Sequence, residues 1–359
     1  MKKIAIVIWD ITLMAGTERA ICNLVNLLIE YGGYDPVIIS VSSDSGKQKY
    51  PLLKEVKIYH LGISFSNILP VKLLDFFSML KQIRKADKIE HFDIIIGTGL
   101  YNNVFSTFVR KEIKVIGCEH FGYDAVSLLS KIFKKYFYSR LDALVILTKS
   151  DSKYYSFHKN VVIIPNSLSF KIYTHANLNI KRILIIGRLS YQKGFDMLVE
   201  AVSMIKDLCR KLEWEVRIIG SGEDEDILKN KINELHIDNI VKIYPSTDNI
   251  IYEYLNASIY VMSSRFEGLP MVLIEAQSVG LPIVSFDCPE GPGEIVINNR
   301  NGLLIENGNI RQLADALAEL INNPEKRFLF GKNALEDSKR YSPEKIYTLW
   351  DNLFQSLER

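Results

Sequence analysis

Two carboxylates, Glu267 and Glu275, stand eight residues apart in the run Ser264-Arg-Phe-Glu-Gly-Leu-Pro-Met-Val-Leu-Ile-Glu-Ala. Glu267 falls in a turn rich in Gly and Pro, and Glu275 lies about one helical turn into the apolar stretch that follows. The first amides of a helix have no partner within it, so the segment Gly268, Leu269, Pro270 and Met271 marks a ready anion site. A phosphate suits such amides, and sugar or ribose hydroxyls suit the two carboxylates. Read plainly, the same residues also make a surface turn followed by a helical Glu near the favourable end of a dipole.

Two further loops carry groups suited to an anion. Gly187-Arg188-Leu189-Ser190-Tyr191-Gln192-Lys193-Gly194 follows one apolar run and precedes a helical pattern. Gly187 allows close backbone approach, Arg188 offers a planar fork of donors, and Lys193 adds a point charge on a flexible stem. Together they could neutralise a leaving diphosphate without a metal. Taken singly, each reads more readily as an ordinary solvated base. Ile219-Gly220-Ser221-Gly222-Glu223 gives a tight turn after another apolar run, although turns use Gly-x-Gly freely.

The elements that must position these loops follow from the rhythm of the chain. At 359 residues, two domains are expected. A composition 48% hydrophobic and 24% charged fits a globular soluble protein, and the net charge of +2 argues against wholesale nucleic-acid binding. Cys22, Cys118, Cys209 and Cys288 have no metal-like spacing, so reduced thiols in a cytoplasmic protein are expected. The N-terminal apolar run is short and meets Asp10 at once, which reads as a buried strand rather than a signal peptide. No run approaches the roughly twenty apolar residues of a membrane span.

Short β-branched runs alternate with helical patterns throughout, the mark of α/β folds with parallel sheets. Strands are expected at 4–9, 36–41, 57–61, 94–97, 115–118, 143–147 and 161–164, with helices at 17–30, 72–88, 102–111, 125–139 and 150–157. Residues 166–179 lose this rhythm and are assigned to a linker. A second series has strands at 181–186, 215–219, 241–244, 259–262, 283–286 and 302–305. Its helices are expected at 194–211, 224–235, 273–279, 310–322, 324–336 and 343–358. The pattern supports two Rossmann-like domains, 1–165 and 166–342, facing a cleft. Ligands in such sheets bind beyond the carboxyl ends of the strands.

Taken in order along nearly the whole chain, these motifs resemble retaining glycosyltransferases of family 4, which have the two-domain GT-B fold, and that resemblance implies that the last helix, 343–358, crosses back onto the first domain. Glu267 and Glu275 match the family's E-x7-E element, and Gly187-Arg188-Leu189 with Lys193-Gly194 match its Gly-Arg-Leu…Lys-Gly element. Ile164-Pro165-Asn166, Asn301-Gly302-Leu303-Leu304 and the loop Gly16-Thr17-Glu18-Arg19 also match. The resemblance implies that Arg188 and Lys193 bind the donor diphosphate and Glu275 the ribose. Glu267, with the amides from Gly268 to Met271, then holds the transferred sugar. It implies no catalytic metal and no cofactor beyond the nucleotide diphosphate sugar. Gly16 is expected near the diphosphate, although Ala15 stands where the family usually has a second glycine. His120, at the end of a strand, resembles the residue that lines the sugar pocket; otherwise it is a structural histidine bonded to a carbonyl. Thr148 and Asn166 are cleft candidates that also suit turn or cap positions.

The implied activity is transfer of a hexose to a saccharide, with retention, in polysaccharide biosynthesis. The stretch Cys288-Pro-Glu-Gly-Pro-Gly-Glu294 resembles one common among enzymes that use UDP-sugars, with GDP the alternative. A polyprenyl-diphosphate-linked acceptor is expected. Residues 72–88 and 127–140 mix apolar and basic side chains, as helices lying on the inner face of the cytoplasmic membrane do, and as ordinary crossover helices also do. The rival readings are a nucleotide-sugar epimerase or hydrolase on the same fold, and a silent sugar-nucleotide-binding subunit.

Overall fold

The β-branched runs form thirteen strands among the residues described by the computed structural model, which are 1–64, 69–109, 112–120, 128–168, 174–289 and 291–358, with backbone alone for 69–73 and 128–129. The chain divides into two compact units, Met1–Ser169 with Tyr341–Arg359, and Phe170–Arg340.

In the first unit, β1 (Lys2–Ile8), β2 (Tyr34–Ser40), β3 (Ile58–His60), β4 (Ile94–Thr98), β5 (Lys114–Cys118), β6 (Ala143–Ile146) and β7 (Val161–Ile163) form one parallel sheet ordered β3-β2-β1-β4-β5-β6-β7. Helices α1 (Gly16–Glu30), α2 (Leu69–Glu90), α3 (Gly99–Ser106) and α4 (Leu128–Tyr138) make the crossovers. Sheet faces covered on both sides account for the unbroken apolar runs, such as Ile94-Ile95-Ile96, each at most 3% exposed.

The second unit holds β8 (Arg182–Ile186), β9 (Glu215–Ile219), β10 (Val241–Tyr244), β11 (Ile259–Met262), β12 (Ile283–Asp287) and β13 (Gly302–Glu306), ordered β10-β9-β8-β11-β12-β13. Its helices are α5 (Phe195–Met204), α6 (Lys206–Leu212), α7 (Glu225–Glu234), α8 (Ile250–Leu255), α9 (Met271–Ser278), α10 (Pro292–Ile295), α11 (Ile310–Asn322) and α12 (Pro324–Ser338). The last helix, α13 (Pro343–Ser356), belongs to the first unit. There Tyr347 stacks on Tyr31 at 4.9 Å, its hydroxyl donates to the Gly32 carbonyl at 2.9 Å, and Phe354 is fully buried.

Several expected boundaries move. Residues 166–168 go with the first unit, because the Leu168 amide donates to the Tyr341 carbonyl at 3.1 Å and Asn23 to that of Ser167 at 3.3 Å. The Ala176 amide donates to the Val279 carbonyl at 2.8 Å, tying that part of the expected linker to the second unit, and residues 169–173 lie outside the described residues. The single helix expected at 194–211 is two, broken where Ile205 leaves helical dihedrals (φ −114°, ψ 18°), a break that the apolar spacing does not mark. Residues 150–155 form a 3-10 turn rather than an α-helix, and α3 begins at Gly99, ahead of the expected 102. The start of the helix expected at 125 lies outside the described residues, and α3 ends at Ser106, short of the expected 111, with a turn at 107–109. Among the described residues no helix is long and apolar enough to cross a membrane.

Candidate functional site

Strand order decides which loops of the second unit meet. β8 lies between β9 and β11, so the reversal of strand order falls at β8 and β11, where open sheets open a crevice. The loop after β8 stays paired to the loop after β9. Leu189 donates to the Ser221 carbonyl and Asp224 to that of Leu189, each at 3.0 Å. A Cβ on Gly220 would stand 1.9 Å from the Gly187 carbonyl oxygen, and one on Gly222 2.2 Å from that of Leu189. Both glycines therefore serve a backbone-to-backbone contact between the two loops.

On the other side, Gly194 takes a left-handed conformation (φ 62°), and a Cβ there would stand 2.1 Å from the Ser263 carbonyl oxygen. This contact seats the end of the β8 loop on the end of β11, and the two bring Lys193 to Glu267. The Lys193 Nζ lies 2.6 Å from Glu267 Oε1, with the glutamate side chain only 8% exposed. The Lys193 stem passes 3.6 Å from where a Cβ on Gly187 would be. Arg188 is exposed and pairs at 3.0 Å with Glu223, which the sequence left without a role. Both cations expected to meet a diphosphate thus rest against carboxylates.

Helix α9 opens at Pro270, whose own side chain gives its amides no cap, and such a helix start suits an anion. Leu269 and Met271 are buried beside it. The loop after β12 packs on this start, since a Cβ on Gly291 (φ 114°) would stand 1.6 Å from the Gly268 carbonyl oxygen. Burial, reinforced by the charges of Glu267 and Asp287, pushes the Cys288 thiol up to about 12. Glu275, one turn into α9, is 1% exposed and accepts a hydrogen bond from Tyr254 Oη at 2.8 Å. Tyr254 and its neighbour Tyr260 are fully buried, and burial, together with the nearby carboxylates, raises the Tyr260 phenol. Nothing in the sequence around Tyr254 marks it as a partner of Glu275.

In the first unit, Gly16 starts α1 in the open, with nothing among the described residues within 4 Å of where a Cβ would point. Glu18 beside it is 6% exposed, one of its oxygens has no partner among the described residues, and burial raises its carboxyl. His120 lines a pocket with Cys118, Leu147, Ile164, Asn166 and Trp350. Its Nε2 is buried with no partner among the described residues, and desolvation lowers the imidazole to about 4. It is therefore neutral at physiological pH. The residue before it is anchored firmly. Glu119 pairs with Lys134 at 2.7 Å, the lysine side chain being 1% exposed, and accepts from Tyr138 Oη and from Asn103 Nδ2. Thr148 donates to Asp151 Oδ2 at 2.6 Å and accepts from the Asp151 amide at 3.2 Å, so its hydroxyl is tied to the 3-10 turn that follows.

Burial of Lys134 corrects the surface expected at 127–140: this lysine is turned inward, while Ile132, Phe133 and Tyr136 stand exposed beside Lys135 and Arg140. Residue 127 of that surface and the side chains of 128–129 are outside those described. In α2, Met79, Leu80 and Ile83 are buried and Phe76 packs on Phe105 and Phe108, as in a crossover helix, with Leu74 and Phe77 left exposed. Leu73 lies among the side chains not described.

Residues 174–337 match the family model described as glycosyl transferases group 1. An uncharacterized glycosyltransferase of Haemophilus influenzae is 34% identical over 364 residues, 98% of this chain and 100% of its own. The amylovoran biosynthesis glycosyltransferase AmsD of Erwinia amylovora is 29% identical over 366 residues, covering 98% and 99%. A Campylobacter jejuni enzyme, named as adding α-1,4-N-acetyl-D-galactosamine to a diNAcBac-PP-undecaprenol-linked saccharide, is 26% identical over 100% of this chain and 99% of its own. Staphylococcus aureus TarM, a variant in complex with fondaparinux, alpha-GlcNAc-glycerol and UDP, superposes with a TM-score of 0.80 at 18% identity, covering 99% and 100%. Likeness along essentially the full length of a relative, and of the family model across the unit that carries the paired loops, places this chain in the group 1 glycosyl transferases, on the GT-B fold.

Proposed function

We propose that the chain moves a hexose from a UDP-sugar to a saccharide acceptor with retention, as enzymes of family 4 do. The observation that carries this reading is the placement of Lys193 and Glu267, 2.6 Å apart, by the loops on either side of the uncapped start of α9. A cation, a carboxylate and the first amides of a helix in one loop cluster suit a diphosphate joined to a sugar. Presence of UDP in the TarM complex supports the choice of nucleotide. The names of the Erwinia and Campylobacter relatives support a cell-surface saccharide acceptor, polyprenyl-diphosphate-linked in the second case.

In this reading the bond from the anomeric carbon to the β-phosphate oxygen breaks first. Arg188, Lys193 and the amides at Gly268, Leu269 and Met271 stabilise the charge that gathers on the leaving diphosphate. Glu267 orients the sugar hydroxyls and Glu275 the ribose. The acceptor hydroxyl attacks the face that the phosphate leaves, and its proton passes to the departing phosphate oxygen. Gly187 lets backbone come close to the donor. No metal and no other cofactor takes part.

A thermal-shift screen with UDP, GDP, ADP and their sugars, with and without EDTA, tests this. UDP and one UDP-hexose should raise the midpoint regardless of EDTA, and Arg188→Ala or Glu275→Gln should lose most of the rise. Gln is chosen at 275 because Ala would leave Tyr254 Oη without its acceptor. No shift with any nucleotide overturns the proposal, and a shift with GDP alone replaces the donor. Free or epimerised sugar formed without acceptor identifies a hydrolase or epimerase, and donor binding without turnover on any acceptor identifies a silent subunit.

The exposed Ile132, Phe133 and Tyr136 beside Lys135 and Arg140 suit an anionic lipid surface, and we assign this face of α4 to peripheral contact with the inner leaflet. Cosedimentation with phosphatidylglycerol vesicles, lost on Ile132→Glu with Tyr136→Glu and absent with phosphatidylcholine, is the expected result. Equal recovery with both lipids, or with neither, overturns it.

A further inference from the structure

We propose that Arg265 is a positioning residue of the donor site: its guanidinium clips the turn after β8 to the turn after β11 and so fixes the placement of Lys193 beside Glu267. This rests on the donor-site reading above and adds to it a residue that no motif marks. Two parallel bonds join the guanidinium to Asp196 in the first turn of α5, Nη1 to Oδ1 at 2.9 Å and Nη2 to Oδ2 at 2.7 Å. Nη1 also donates to the Tyr191 carbonyl at 2.7 Å, and the guanidinium carbon lies 4.0 Å from the centre of the Tyr191 ring. The backbone follows the same course. The Arg265 amide donates to the Gln192 carbonyl at 2.8 Å, and the Gln192 side chain to that of Phe266 at 3.1 Å. From the far side, Asn307 donates to the Arg265 carbonyl at 3.2 Å.

Arg265 thus directs its fork into protein partners on the residues flanking the site, which distinguishes it from the phosphate-binding role given to Arg188. Planar bidentate geometry sets direction as well as distance, and a lysine, with one charged atom, could not hold Asp196 and the Tyr191 carbonyl in the same way. Lys193 lies two residues beyond Tyr191, and Glu267 two beyond Arg265. Once a phosphate competes for the Lys193 ammonium, the ion pair between Lys193 and Glu267 no longer holds these turns together, and the clip keeps them in register. Burial alone would raise the Asp196 carboxyl, and the adjacent Arg265 more than offsets it, so the clip is fully ionised at neutral pH.

Calorimetric titration of the full chain with UDP tests the proposal in a double-mutant cycle. Lys193→Ala should weaken UDP about tenfold or more, the worth of one charge-assisted bond. Arg265→Ala should weaken UDP by a similar factor, Arg265→Lys should recover little of it, and Arg265→Ala should have almost no further effect in the Lys193→Ala background. A merely structural role would lower the melting temperature and give losses that add. Unchanged affinity in Arg265→Ala, or additive losses, overturns the proposal while leaving the donor site standing. Should Arg265→Ala not fold, Asp196→Asn opens the same clip with the guanidinium retained and is held to the same criterion. Failure of the unaltered chain to bind any of the nucleotides screened, or normal binding by Lys193→Ala, overturns the donor-site reading and the positioning role with it.

Discussion

At the scale of single residues, the site is a set of charges held in partly dry surroundings and satisfied by one another. Lys193 and Arg188 were legible as bases after a strand, but their partners were not, because Glu267 is 74 residues from Lys193 and Glu223 is 35 from Arg188. His120 carries a pH signature of its own. The folded chain takes up this proton only near pH 4, whereas an unfolded chain takes it up near 6.5. Between those values the unfolded state binds more protons, so stability falls as pH drops through that window and rises as pH climbs back. Urea midpoints of the unaltered chain should therefore fall more steeply from pH 7 to pH 4.5 than those of His120→Asn. Parallel pH curves for the two would show that His120 contributes nothing to the slope.

At the scale of elements, glycines mark where one backbone meets another. The left-handed Gly291 is seated against Gly268, the residue that leads into α9. A methyl group there meets the Gly268 carbonyl oxygen and the Pro270 ring, at 1.6 and 2.9 Å, and must displace the approach to the helix amides. Gly291→Ala should cost about 2–4 kcal/mol by combined clash and backbone strain, and should weaken UDP binding. Gly308→Ala is the control, being left-handed (φ 78°) with nothing among the described residues within 4 Å of where a Cβ would stand, and should cost only about 1 kcal/mol with UDP binding intact. Equal losses of UDP affinity in both variants would sever the link between Gly291 and the start of α9. The helix break at Ile205 and the buried Lys134 belong to this scale too. Lys134 sits among the basic residues of α4 in sequence, yet it is paired with Glu119 from β5's end, and a buried charge is tolerable only with such a partner.

For the molecule as a whole, the return of α13 closes the first unit. Trp350 is 6% exposed and packs against Phe354 at 5.5 Å between ring centres, over the pocket that holds His120. Trp350→Ala should cost about 3–5 kcal/mol. Hydrogen exchange should then quicken in β1, β2 and α1 while the amides of β8 to β13 keep their protection. Equal loss of protection in both units would show that they do not unfold separately.

Sequence by itself determined the strands, the two-unit plan and the loops where chemistry resides. Buried parallel strands must be apolar on both faces, so runs such as 94–97 and 283–286 declare themselves locally. Glycines, bases and carboxylates at strand ends are equally local signals. Only the tertiary structure decided which loops are neighbours. The order β9-β8-β11 brings three of them together and gives Lys193 to Glu267, Gly220 to Gly187 and Arg265 to Asp196. Such pairings depend on strand order, which local periodicity along the chain does not carry.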